Sequence, residues 1–195
     1  MGAAADCEAI SAGFLGQPVN TLTTIAFLLA GIWTLFRRPE RGWVGVGLIA
    51  TGFGSFLFHG PMPPGSEWAH DVSLAWLILL IAATETRWEA LSRLPALAVL
   101  GLAFWWLPVI ADPVAVALTA VAVISLLTRD RSFSTWAPLA LLTFVGILGR
   151  LGSTQGPWCD PDSVLQTHGL WHIGAAVAVA WWATAAPSAH SSTSL

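Results

Sequence analysis

The chain has no lysine, no tyrosine and only two cysteines, and charged residues fill just 10% of its 195 positions. An ordinary soluble domain is about one quarter charged. Eight arginines and eleven acids cannot cover a globule of this size, which excludes a conventional soluble enzyme. A net charge of −3, with no basic face, excludes a nucleic-acid binder. What remains is apolar: 55% hydrophobic residues, a mean hydropathy of +0.70 and twelve tryptophans. Tryptophan suits a membrane interface, where one end of the ring system is apolar and the other is wet. The composition is that of a polytopic membrane protein. At about 20 residues per helical span, the length accommodates seven spans with short loops.

Apolar runs bounded by charge or by Pro/Gly clusters predict those spans at about 18–36, 42–59, 66–86, 94–110, 112–128, 135–151 and 163–185. Asp112-Pro113 reads as a helix start, with the acid as N-cap and proline at the first helical position. Residues 1–186 form one all-α domain, a seven-helix bundle, and 187–195 read as a disordered polar tail. Arginine placement agrees with the count. Arg37, Arg38, Arg41, Arg87, Arg93, Arg129 and Arg131 fall on one side of a seven-span layout, and Arg150 alone on the other. The positive-inside rule makes the arginine side cytoplasmic, leaving the N-terminus outside and the C-terminus cytoplasmic. The first seventeen residues carry no Lys or Arg, so the first span is expected to be retained rather than cleaved as a signal peptide. Arginine-only basic usage and compact loops fit a bacterial inner membrane, with the ER or Golgi as the eukaryotic equivalent. The compartments place Cys7 and Cys159 together outside the cytoplasm, where disulfides persist, and a Cys7–Cys159 bridge is expected.

Ionisable groups at membrane depth are costly and usually functional. Ser55 and His59 are four apart near the outer end of the second span, Asp71 lies one turn into the third, and His168 and His172 are four apart in the seventh. Positions i and i+4 share a helix face, so three helices bring these side chains to one depth. Three histidines with a nearby carboxylate suit a metal. Zn²⁺ takes three protein nitrogens in catalytic sites and keeps a fourth position for water, whose pKa it lowers to about 7. Asp71 would then accept a proton or orient a ligand. Ser55 would donate to a developing oxyanion. Blander readings stand beside this one: a pair of histidines ligating haem, Ser55 as packing glue beside Gly52 and Gly54, Asp71 as a helix cap. His70 projects about 100° away from Asp71 and reads as a rim or loop-facing residue. The polar run Asn20, Thr21, Thr23 and Thr24 reads as capping or as a hydrogen bond into the site.

Ser55-Phe56-Leu57-Phe58-His59, then Asp71, then His168-Gly169-Leu170-Trp171-His172, resembles the alkaline ceramidase family. That family belongs to a superfamily of seven-span metal-dependent hydrolases that also includes adiponectin/progestin-type receptors. Cys7-Glu8 and Gln17-Pro18-Val19-Asn20-Thr21 resemble further family segments. The resemblance implies Zn²⁺ on His59, His168 and His172, with Asp71 and Ser55 assisting hydrolysis of a lipid amide, and it implies the Cys7–Cys159 bridge independently. It also implies an N-terminal Ca²⁺ site. Asp6 and Glu8 remain as its acids, but Gln17 stands where a carboxylate belongs and Ile10 is apolar, so at most a weak site is expected. The expected partner is a membrane lipid, ceramide or another N-acyl lipid. The alternative is a non-catalytic receptor or lipid-binding protein with structural zinc.

Overall fold

A computed structural model describes residues 2–185. The tail expected at 187–195 lies outside the described residues. Every regular element among them is helical: α1 (Pro18–Thr23), α2 (Ile25–Arg37), α3 (Gly42–His59), α4 (Ser66–Ala83), the short α5 (Glu89–Ser92), α6 (Leu94–Trp106), α7 (Ala111–Arg129), α8 (Phe133–Leu151) and α9 (Thr167–Thr184). Five segments are long and apolar enough to cross a membrane: Pro18–Arg37, Pro39–His59, Ser66–Ala83, Pro108–Arg129 and Phe133–Leu151.

The differences from the expected spans have local causes. α6 has only 13 residues, about 20 Å of helix. It stops at Leu107, which precedes Pro108 and takes a non-helical backbone, the helical region being disfavoured before proline. Pro108–Ile110 then turns as a 3₁₀ helix that leads straight into α7. Asp112 therefore lies inside the first turn of α7 and is not its N-cap. α9 begins at Thr167, later than the expected 163, because Gln166 holds the preceding turn through its amide to the carbonyls of Asp160 and Ser163 (3.0 and 2.7 Å). Two histidines and three tryptophans dilute the apolar character of α9, which is not one of the five.

Arg38, Arg41 and Arg129 gather at one end of the bundle. Arg38 donates to Ala185 O (2.9 Å) and Arg41 to Trp182 O (3.0 Å), both at the end of α9. Arg129, ending α7, donates to Ala82 O (3.3 Å) and to Thr84 O at the end of α4. A helix C-terminus carries unpaired carbonyls and partial negative charge, so a guanidinium there satisfies both. Chain direction then sends His59, the start of α4 and the start of α9 to the opposite end.

α3 is packed against α2 on one flank and α4 on the other, and glycine makes this possible. A Cβ on Gly31 would lie 2.6 Å from Gly45 O; one on Gly54 would lie 2.8 Å from Ala69 O and collide with Ser73 Oγ. Thr51 Oγ1 bridges the same pair of helices, donating to Gly47 O (2.9 Å) and Ser73 O (3.2 Å). Phe27, Val44, Leu48, Leu77, Ala176 and Val179 fill the centre between α2, α3, α4 and α9. The outer faces are apolar as well: Leu29, Phe36, Leu102, Val116, Ile124 and Phe144 are exposed. An exterior of that kind is compatible with a lipid surround.

Residues before α1 form a cap on the histidine end. Cys7 is bonded to Cys159, with Cα atoms 5.6 Å apart, so the expected bridge is present. Backbone bonds stitch the cap to the loop before α9: Ala9 N to Pro161 O (3.0 Å) and Thr154 N to Ala5 O (2.9 Å). On its inner side, Gln17 N donates to His59 O (2.8 Å).

Gly54 sets the α3–α4 spacing directly beside Ser55 and His59. Gly54→Val is expected to cost about 1–3 kcal/mol, as overpacking does. It should lower the thermal midpoint in detergent; an unchanged midpoint would contradict this packing.

Candidate metal centre

His59 is the last residue of α3, and His168 and His172 occupy one face of the first turns of α9. Their ring centres are 4.9 Å (His59–His168), 5.1 Å (His59–His172) and 4.6 Å (His168–His172) apart. One nitrogen from each ring falls within 4.8 Å of the others, a set that could hold a metal ion. His59 and His172 are buried, and His168 is partly so.

The Nδ1 atoms are already engaged. His59 Nδ1 meets Gln17 Oε1 at 2.7 Å, His168 Nδ1 meets Asp6 Oδ1 at 3.2 Å, and His172 Nδ1 lies 3.2 Å from Asn20 O and 3.0 Å from Thr23 Oγ1. Gln17 is oriented by its other end, because its Nε2 donates to Ala3 O and Glu8 O, both at 2.8 Å. Its Oε1 is therefore an acceptor and the His59 proton sits on Nδ1. The Asp6 carboxylate and Asn20 carbonyl fix the other two rings alike. Each ring is left with a lone pair on Nε2. The Nε2 atoms of His59 and His168 are buried and lack any hydrogen-bond partner. A buried acceptor without a partner is costly, and a cation between these nitrogens relieves that cost. Metal-ligating histidines characteristically donate their second N–H to an oxygen, as all three do here.

Asp71 and Ser55 are placed differently. Ser55 is buried one turn from His59 on α3. Asp71 is part of the wall of a cavity of ≈ 580 Å³, which it shares with Asp6, Phe58, His70, Trp105 and His168. His70 corrects the sequence reading. It is not a rim residue: it lines the cavity, stacks on Phe58 with ring centres 4.8 Å apart, and bonds Asp71 Oδ1 through Nδ1 at 2.9 Å. A cavity this wide spans the 100° between neighbouring helical positions. Among the polar residues opening the first span, Thr23 follows the second of the two expected readings, reaching His172.

The carboxylates expected as weak Ca²⁺ ligands are engaged elsewhere. Both Glu8 oxygens accept from the start of α1, from Val19 N at 2.7 Å and Asn20 N at 2.8 Å. Asp6 faces His168, and burial pushes its carboxyl up to about 6, against the opposing pull of His70. The carbonyls of Ala3 and Glu8, which a cation would use, receive the Gln17 amide instead. The contact of Gln17 with His59 is what the sequence reading missed. Forty-two positions separate the two residues, so no local spacing pairs them; the one signal of Gln17 is an amide directly before the proline that opens an apolar run.

Comparison with protein-family models, with curated proteins and with solved structures gives no match. The likeness to alkaline ceramidases therefore rests on the motif residues themselves.

Replacing Gln17 removes the oxygen that holds the His59 tautomer. Gln17→Leu is expected to weaken metal binding about 10–100-fold, the usual effect of losing such a partner. Competition with a chromogenic chelator measures this, and an unchanged affinity would refute the role.

Proposed function

We propose that the chain is an integral-membrane, zinc-dependent hydrolase that cleaves the amide bond of a ceramide-like or other N-acyl lipid, releasing a fatty acid and an amine. The observation that carries this reading is the histidine cluster: three rings held through Nδ1, unpartnered Nε2 atoms on His59 and His168, and His168 lining a cavity that Asp6 and Asp71 also line. A set of three neutral imidazoles is the ligand set of catalytic zinc, and it leaves a position free.

A zinc ion so held supplies a Lewis acid and a water acidified to near neutral pKa. The protein's own groups do the rest. Asp71 on the cavity wall manages the proton released on attack at the amide carbonyl. Ser55, one turn below His59, donates to the oxygen on which charge develops. The lipid's apolar chain lies along the exposed Phe and Leu side chains of the bundle, while its linkage reaches the cavity. The receptor alternative needs neither a cavity at the metal nor an acid on its wall.

In this reading all seven apolar segments span the bilayer. α6 spans as a short helix packed on α4, and α9 spans as the partner of α2 and α8. The arginine end faces the cytoplasm and the disulfide-capped histidine end faces outward.

The test is turnover of fluorescent N-acyl lipids by detergent-purified protein. Removal of zinc with phenanthroline should abolish hydrolysis, and added zinc should restore it. Asp71→Asn should lower kcat by about 10²–10⁴-fold, the range for lost acid–base catalysis. Zinc bound at full stoichiometry without turnover of any N-acyl lipid would favour the receptor alternative and overturn the hydrolase.

A further inference from the structure

His70 has no assigned part in the reading above, yet it is the cavity residue most suited to carry a proton. It is the fourth histidine at this end of the bundle. Its ring centre lies 6.2 Å from that of His59. Two contacts fix the ring: the stack on Phe58, with planes 26° apart, and the 2.9 Å bond from Nδ1 to Asp71 Oδ1. Neither contact uses Nε2. His70 is among the residues that line the cavity, and its side chain is 18% exposed. A carboxylate behind Nδ1, with Nε2 left free for chemistry, is the arrangement of an orienting acid and a general base.

We infer that His70 and Asp71 act as one dyad, with His70 as the proton carrier for the reaction; the inference rests on the hydrolase reading. As an oxygen–carbon bond forms at the amide carbonyl, the proton of the attacking water passes to His70 Nε2. Asp71 accepts the hydrogen bond from Nδ1–H and stabilises the imidazolium so formed. As the carbon–nitrogen bond breaks, the Nε2 proton passes to the departing nitrogen. One water is consumed, one acid and one amine are released, and the dyad returns to its starting state without oxidant or reductant. The amine is a poor leaving group unless protonated, so the second transfer is where His70 matters most. This assigns to His70 the transfer that Asp71 alone would otherwise perform, and it makes Asp71 its partner.

The substrate pair that isolates this is an N-acyl amide and the p-nitrophenyl ester of the same acyl chain. Nitrophenolate departs without a proton. His70→Gln should therefore lower turnover of the amide at least about tenfold more than turnover of the ester, within the range general acid catalysis supplies. Asp71→Asn should show the same asymmetry. Zinc content of both variants should stay at about one per chain, because neither residue is a ligand; His70→Asn serves as a second variant if His70→Gln does not fold. Equal losses on amide and ester, or loss of zinc from the His70 variants, would overturn the dyad while leaving the hydrolase intact. Wild-type protein that hydrolysed neither substrate would sink the hydrolase reading, and the dyad with it.

Discussion

Every histidine of the cluster is held through Nδ1 by the stretch of chain between Asp6 and Thr23. Gln17 takes His59, Asp6 takes His168, and Asn20 and Thr23 take His172. The candidate ligands themselves come from α3 and α9. The N-terminal segment is therefore part of the centre and not a covering for it. Its own fixation follows from the same need. Glu8 caps α1, Gln17 ties back to Ala3 and Glu8, and the Cys7–Cys159 bond anchors the segment to the loop that leads into α9. A disulfide across 152 positions is well suited to join the two parts of the chain that must agree on where the rings sit.

The bundle serves that centre by separating its two ends. Arginine side chains close the carbonyl ends of α4 and α9 on one side. On the other side, among the described residues, no arginine or lysine lines the cavity, and its ionisable groups are carboxylates and histidines. Close approach of α3 to α2 and α4 depends on glycine at the contact points, and any side chain there would spread the helices that carry Ser55, His59 and Asp71.

Much of this was legible in the chain. The spacing of His59, His168 and His172 named the cluster, because periodicity and depth are properties that sequence carries. The cysteine pair followed from compartment. What spacing does not carry is how far a cavity reaches around a helix, and so His70 was set aside although it lies next to Asp71. Nor does it carry contacts between segments far apart in the chain, which is why Gln17, with no ionisable group, was read as part of a family segment and as a missing carboxylate but not as a partner of His59. The boundaries that moved did so for backbone reasons: Pro108 shortened α6, and the 3₁₀ turn after it absorbed the helix start expected at Asp112.

The claim beneath the whole account is that the Nε2 atoms of His59, His168 and His172 share one metal ion. The most direct measurement is the zinc content of purified protein beside that of a folded His168→Ala/His172→Ala variant. The account predicts about one zinc per chain, lost in the variant. Folded wild-type protein that carries no zinc and takes up none when it is supplied would contradict it.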